Sequence, residues 1–441
     1  MSDVVPPPNH PIRARLELGE GGVPATSSVA GAEPPQTRRR GAATRRRLRR
    51  HRIIFGTAIL VALALAWLAV SFAVFMLRPT SMSFGERSAE WVRSLPAGNW
   101  VVDEAEHYYY SSKAPKPGGP QLKALPVVGL PNSSTGGSHP TTTTTTTTTP
   151  KPVTPAAVWP PPIKSVFPHP LPGEGIWKPT GPPVNGGPPV LVTTFRTETD
   201  YPQIVAYVAW FDHTRTALAY YPGRYEPPNA AVRGPMMVPL DQRSRLLATF
   251  NAGFIYSDGT NGSSDNGLVN EPLTDGNATL IGYRNGRVAI VKWSGGPNAG
   301  PNVAWARQSL APIVWNGALN PELNDNPDSP QWGYTLGNAV RVWRTGVGID
   351  RRGNLIYLVA NDQTVITLAQ ALLHAGAVDA MEFDINPEWH TLITYTHRPG
   401  LVPTMVEPQP MQSPDRYLVP DDRDFFAVYR RLPGPVTVPF G

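Results

Sequence analysis

Residues 53–77, IIFGTAILVALALAWLAVSFAVFML, run for 25 positions without a charged side chain. A helix rises about 1.5 Å per residue, so about 20 such residues already cross the hydrocarbon core of a bilayer. This length commits the stretch either to a membrane or to a deeply buried core. A signal peptide's apolar region is shorter and ends at a small-residue cleavage site, whereas this one runs into Arg78-Pro79. The sequence predicts one spanning helix over 53–77, with the membrane as its partner.

Charge gives the direction. Residues 1–52 carry eleven arginines and four acids, a net of +7; the whole chain is +6, so residues 53–441 carry −1. The cluster RRRGAATRRRLRRHR at 38–52 abuts the apolar stretch, and only Arg78 follows it closely. The positive-inside bias then predicts a single-pass cell-membrane protein, N-terminus cytoplasmic and residues 78–441 extracytoplasmic. Arginines against a bilayer predict contact with anionic lipid. With the excess charge confined to a tail, no nucleic-acid partner is expected. Residues 1–52 read as a disordered basic tail. The chain has no cysteine, which excludes thiol nucleophiles, disulfides and Cys-type zinc sites.

Beyond the helix, residues 78–110 form a membrane-proximal segment, with a short amphipathic helix expected around Trp91, Val92 and Leu95 and a second element from Trp100 to Tyr110. Residues 111–170 are rich in Pro, with nine consecutive Thr at 141–149. They read as an extended spacer and, on composition, a candidate for O-glycosylation. Residues 171–441 have the texture of a folded domain: strand-like runs at 203–212, 217–223 and 278–293, the last broken by the hairpin dipeptide Asn285-Gly286. A strand–turn–strand–helix–strand unit follows over 344–385, its helix capped by Thr367 and stopped by Gly376. The expected fold class is α+β: a mostly β, mixed-sheet domain with a few helices.

Chemistry concentrates in DAMEFDINPEWH, residues 379–390. Read as a strand from Met381 to Ile385, it turns Met381, Phe383 and Ile385 one way and Glu382 and Asp384 the other, the acids roughly 7 Å apart along the strand. Such a pair is either the wet face of a sheet or a site in which one carboxyl holds a proton while the other stays ionised. The histidines His213, His374, His390 and His397 lack ligand spacing, and the loop 258–271 lacks the EF-hand order, so neither metal nor cofactor is expected. No GxSxG, Walker or dinucleotide fingerprint stands in strand–turn–helix context.

Taken in order over about 190–431, NAGFI (251–255), NGR (285–287), WNGAL (315–319), RTGVGIDRRGNLIYLVAND (344–362) and TLAQALLHAGAVDAMEFD (367–384) resemble the phosphodiester glycosidase domain family. The resemblance implies an envelope protein that cleaves a sugar from a sugar-1-phosphodiester, with an envelope glycan or phosphoglycan as partner. It implies that Asp384 and Glu382 share the acid and the base or nucleophile roles. Arg344 would bind phosphate, Asn251 would hold sugar hydroxyls, and Thr345 and Asn316 would lie in matching segments. The family's Asp-Gly-Gly-Gly-Ser loop is here DINPE (384–388): Asp384 is kept and every glycine is gone. Ile385 and Pro387 cannot offer the backbone N–H surface of a Gly-rich loop. Either the substrate differs, with Asn386, Trp389 and His390 making new contacts, or hydrolysis has been lost. In the latter case the domain is a wall-glycan binding module, Trp389 stacking on sugar rings, or a structural partner of a membrane complex.

Overall fold

The computed structural model describes residues 37–111, 114–130, 159–230, 233–259, 261–327, 329–335 and 339–432. The chain divides into two units, Met1–Val70 and Ser71–Gly441. The first holds most of helix α1, Thr37–Met76, whose Arg49–Met76 stretch is long and apolar enough to cross a membrane and is not buried. The basic cluster at 38–52, expected to be disordered, is helical. Its Arg, Leu and Ala are good helix formers, and the apolar stretch supplies the costly nucleus from which the helix propagates. Residues 1–36 and the threonines at 141–149 lie outside the described residues.

In the second unit, Arg87 caps the end of α1. Its Nη1 donates to the Met76 carbonyl (2.9 Å), Nη2 to Thr80 (2.9 Å) and Nε to Met82 (3.1 Å). Helix α2, Phe84–Arg93, starts at Ser83, whose Oγ accepts the Glu86 N–H. Helix α3, Gly98–Ser111, follows. Trp91 lies edge-on to Phe72 (5.0 Å) and donates Nε1 to Ser71 Oγ, whereas Trp100 and Tyr108 stay exposed.

The strands build three sheets, and every pairing is antiparallel. The large sheet is ordered Lys178–Pro179, Val190–Arg196, Val205–Phe211, Leu355–Gln363, Val342–Asp350, Ala377–Glu382, Pro312–Trp315, Ala318–Leu319. The second runs Leu268–Glu271, Ser263–Asp265, Val303–Gln308, Ala278–Tyr283, Val288–Lys292. The third runs Val402–Met405, Leu392–Thr396, Leu246–Asn251, Phe425–Arg430, Thr216–Tyr221. One face of the large sheet (Val192, Val347, Tyr357, Met381) packs on Phe250 and Phe426 of the third and on Leu280 and Trp305 of the second. The other face packs on helix α4, Val365–His374, through Leu368, Ala371 and Leu372.

The glycines of RTGVG make that second packing possible. A Cβ on Gly346 would stand 2.9 Å from Leu372 Cδ1, and one on Gly348 would stand 2.5 Å from the Ala377 Cβ. The cap of α4 is Thr364, not Thr367: the two form a capping box in which Thr364 Oγ1 accepts the Thr367 N–H and Thr367 Oγ1 accepts the Thr364 N–H.

Two other expectations change. The polar loop 258–271 contains a hairpin, Ser263–Asp265 against Leu268–Glu271, turned at Asn266 (φ 48°) and Gly267 (φ 80°). Within the expected spacer, residues 114–130 and 159–170 pack on the domain. Val128 and Ile163 are buried, the Leu130 N–H reaches the Pro179 carbonyl, and Trp177 Nε1 reaches the Pro161 carbonyl. Chain with few N–H groups suits the edge of a sheet, where it lends carbonyls and apolar rings without needing a full ladder.

Candidate functional site

The strand that enters the site, Ala377–Glu382, ends three residues before the predicted Ile385. The alternation holds up to that point. Met381 and Phe383 enter the core between the sheets, while Ala380, and with it Glu382, faces the α4 side. Glu382 lies opposite Gly346 in the ladder, so Arg344, two residues away on the same face, is its diagonal neighbour. Arg344 Nη1 meets Glu382 Oε1 at 2.5 Å, and its Nε donates to the Gln363 carbonyl at 3.0 Å. Both side chains are buried. Burial pushes the Glu382 carboxyl up to about 7, against the lowering influence of Arg344 and with a smaller raising one from Asp384. Its Oε2 is buried without a hydrogen-bond partner among the described residues.

The other face carries a hydrogen-bonded chain. Thr345 Oγ1 donates to the Asp384 carbonyl (2.7 Å) and accepts from Asn251 Nδ2 (3.1 Å). Asn251 Nδ2 also donates to the Ala252 carbonyl, and its Oδ1 accepts from Tyr357 Oη (2.6 Å) and the Thr391 N–H (3.1 Å). The Asn251 amide, expected to hold sugar hydroxyls, is thus fully engaged within the protein. It ties four segments together. The residues Asn251, Arg344, Thr345, Glu382 and Asp384 do converge on one end of the large sheet. Asn316 does not join them. It is exposed in the turn after Pro312–Trp315, where its N–H bonds Asp379 Oδ1, toward the start of the strand whose end carries Glu382.

The glycine-free loop turns by side-chain caps. Asp384 Oδ1 accepts the Asn386 N–H (2.9 Å), and Asn386 Oδ1 accepts the Glu388 N–H (2.8 Å). Trp389 is 2 % exposed, with Arg423 4.5 Å and Arg416 5.2 Å from its ring. His390 is 1 % exposed and stacks on Trp343 at 3.9 Å. Burial, then Arg416, drives its imidazole down to about 3, so it is neutral. Neither ring presents a face to a sugar, contrary to the expectation. Partners distant in sequence (Arg416, Arg423 and Trp343) make their burial favourable. Helix α2 lies over the same loop: Arg93 reaches Glu388 at 3.4 Å, and Gln412 Nε2 donates both to the Glu388 carbonyl (2.9 Å) and to the buried Glu86 carboxyl.

Sequence reading missed Trp343. It stands next to Arg344 but on the opposite face, as strand alternation requires. Beside it opens a cavity of about 520 Å³ lined by Gln203, Tyr207, Asn361, Asp362 and Leu125. Burial raises the Asp362 carboxyl to about 6, against Arg341. Among the described residues no group of three or more acidic or histidine side chains is placed to hold a metal ion.

Fold and site together define a mostly β domain of three antiparallel sheets, in a chain whose described residues include one helix of membrane-spanning length. No family model matches the sequence, and no curated protein matches it. Among solved structures, the catalytic domain of zebrafish N-acetylglucosamine-1-phosphodiester alpha-N-acetylglucosaminidase, auto-inhibited by its pro-peptide, is similar at 13 % identity and a TM-score of 0.37, covering 55 % of this chain and 82 % of that one. A hypothetical protein from Synechocystis is similar at 12 % identity and TM-score 0.33, covering 57 % and 64 %. An exported protein from Burkholderia pseudomallei is similar at 11 % identity and TM-score 0.23, covering 51 % and 74 %. These are weak likenesses of fold; the reading of the site rests on its own geometry.

Proposed function

We propose that this is a membrane-tethered, extracytoplasmic hydrolase that cleaves a sugar from a sugar-1-phosphodiester of the cell envelope. The observation that supports it is the meeting of Arg344, Glu382 and Asp384 at one strand end. A carboxyl whose pKa lies near neutrality holds a proton where a leaving oxygen needs one. In this reading Glu382 delivers that proton to the phosphodiester oxygen as the anomeric C–O bond breaks. Asp384 supplies the negative charge on the sugar side, as nucleophile or as base for water. The bonds of Arg344 to Glu382 and Gln363 use Nη1 and Nε, and Nη2 is the donor left to pair with a phosphate oxygen. The direct test is turnover of sugar-1-phosphodiesters and aryl glycosides by the protein and by Asp384→Asn. Undiminished turnover in the variant removes Asp384 from the chemistry.

One observation favours a second reading, a glycan-binding module without turnover: α2 covers the altered loop, and the only open aromatic lining near it is the Trp343–Tyr207 cavity among the cavities described. Retention on wall polymer with no product released, and lost on Trp343→Ala, would favour this reading.

A further inference from the structure

At the opposite end of the core from Glu382, the three sheets part around a cavity of about 370 Å³. Its floor is apolar: Phe211 and Leu355 from the large sheet, Leu218 and Val428 from the third, all in the shared core. Its rim carries Arg287 from the Asn285-Gly286 turn, Arg352 from the turn after Val342–Asp350, and Arg431 past the last strand. Among the described residues no Asp or Glu lines it. Among the described residues the guanidinium groups of Arg287 and Arg352 have no hydrogen-bond or ion-pair partner, Arg287 lying 5.6 Å from the Tyr283 ring, and Arg431 donates Nη1 to the His213 carbonyl (2.8 Å). The carboxylates on the adjoining turns are engaged elsewhere: Asp350 accepts from Trp210 Nε1 and Asn354 Nδ2 on the other face of the sheet, and Asp212 pairs with Arg215. Leu355 and Gln363 end the same strand, so this cavity lies roughly 26 Å from the candidate catalytic end at about 3.3 Å per residue.

Three cations that no acid among the described residues pairs repel one another, and a cavity of this size between apolar walls leaves packing contacts unmade. One ligand type relieves both: an anionic group bound by the guanidinium rim and an apolar group on the floor. We propose that this cavity is a binding site for a phosphate ester carrying an apolar alkyl group, either a soluble ester or the phosphate headgroup of a lipid. The proposal is independent of the hydrolase reading, because none of its residues belongs to that site.

The test is calorimetric titration of hexyl phosphate into the full chain in phosphatidylcholine nanodiscs, beside inorganic phosphate and hexanol. The expected result is saturable binding of hexyl phosphate, at least tenfold tighter than either fragment. It should weaken at least tenfold in Arg287→Ala/Arg352→Ala, two exposed positions whose loss does not threaten the fold. Equal affinity in that double variant, equal affinity for inorganic phosphate, or no saturable binding would overturn it. Discs containing phosphatidic acid separate the sources: a fall in apparent affinity for hexyl phosphate that the double variant abolishes supports a lipid headgroup, and an unchanged affinity supports the soluble ester.

Discussion

Arg344 Nη1 and Glu382 Oε1 meet at 2.5 Å inside the end of the large sheet, and the second Glu382 oxygen has no partner among the described residues. The pair is fixed by β geometry, since Gly346 faces Glu382 across the ladder and leaves room for the longer side chain beside it. Burying two charges costs more than their attraction returns unless both stay paired. Removing only the arginine is therefore the damaging change. Arg344→Met should destabilise the domain in denaturant unfolding by less than about 3–5 kcal/mol at pH 6, where Glu382 keeps its proton, and by more as pH rises to 9. Arg344→Met/Glu382→Leu should recover much of that loss. A double variant no more stable than the single one would contradict this account of the pair.

Stability should fall as pH rises from about 5 to about 9. Burial raises the carboxyls of Glu382 to about 7, Glu407 to about 8 and Glu86 to about 9. A carboxyl whose folded pKa is raised binds its proton more tightly folded than unfolded. Its contribution is complete below the ordinary carboxylate range and is lost as pH climbs through the folded value. Glu174 acts in the opposite sense. Burial would raise it, but hydrogen bonds from Arg196 win and hold it at about 2, so its contribution disappears as pH drops toward 2. A melting temperature that stays flat or rises between pH 5 and 9 would sink the argument, and Glu86→Gln should flatten the alkaline end of the curve.

Trp389 should behave as a core residue rather than a sugar platform. Trp389→Ala removes a ring enclosed by Arg416 and Arg423 and should cost about 3–5 kcal/mol. Retention on wall polymer, measured on the folded fraction, should be unchanged. Loss of retention with unchanged stability would restore the stacking role.

What the sequence displayed and what it hid follow from how local each signal is. Asn285-Gly286 announces its hairpin because apolar strands flank it. Asn266-Gly267 also closes a hairpin, by a tighter turn with both residues at positive φ, yet its flanks, NGSSD and LVNEP, are too polar to alternate visibly. The β-rich class was within reach because strand alternation displays it; Arg344 was set beside Glu382 and Asp384 by the resemblance alone. The burial of Trp389 and His390 was not within reach, because it depends on Arg416, Arg423 and Trp343, and on α2 nearly 300 positions earlier. Asn251 entered through the resemblance, as a holder of sugar hydroxyls. Its engagement with Tyr357 and Thr391 is tertiary, and no spacing in the chain encodes it.

The proton on Glu382 provides a test that does not depend on knowing a substrate. Three causes set its position: burial raises it most, Arg344 lowers it by charge and hydrogen bond, and Asp384 raises it by charge. Carbon-13 NMR of the labelled Glu382 carboxyl should show a midpoint near 7 in the parent protein. Arg344→Gln removes the lowering partner and should move the midpoint up. Asp384→Asn removes the raising charge and should move it down. Opposite shifts from two neighbours identify a carboxyl poised between them, the property a proton donor at neutral pH requires. If turnover is found, the rate should decline as pH rises through that same midpoint, because the donor must enter the reaction protonated. The decline should follow the midpoint upward in any active Arg344 variant. A midpoint near 4 in the parent, or shifts of the same sign in both variants, would show that the group is solvated and unsuited to this role.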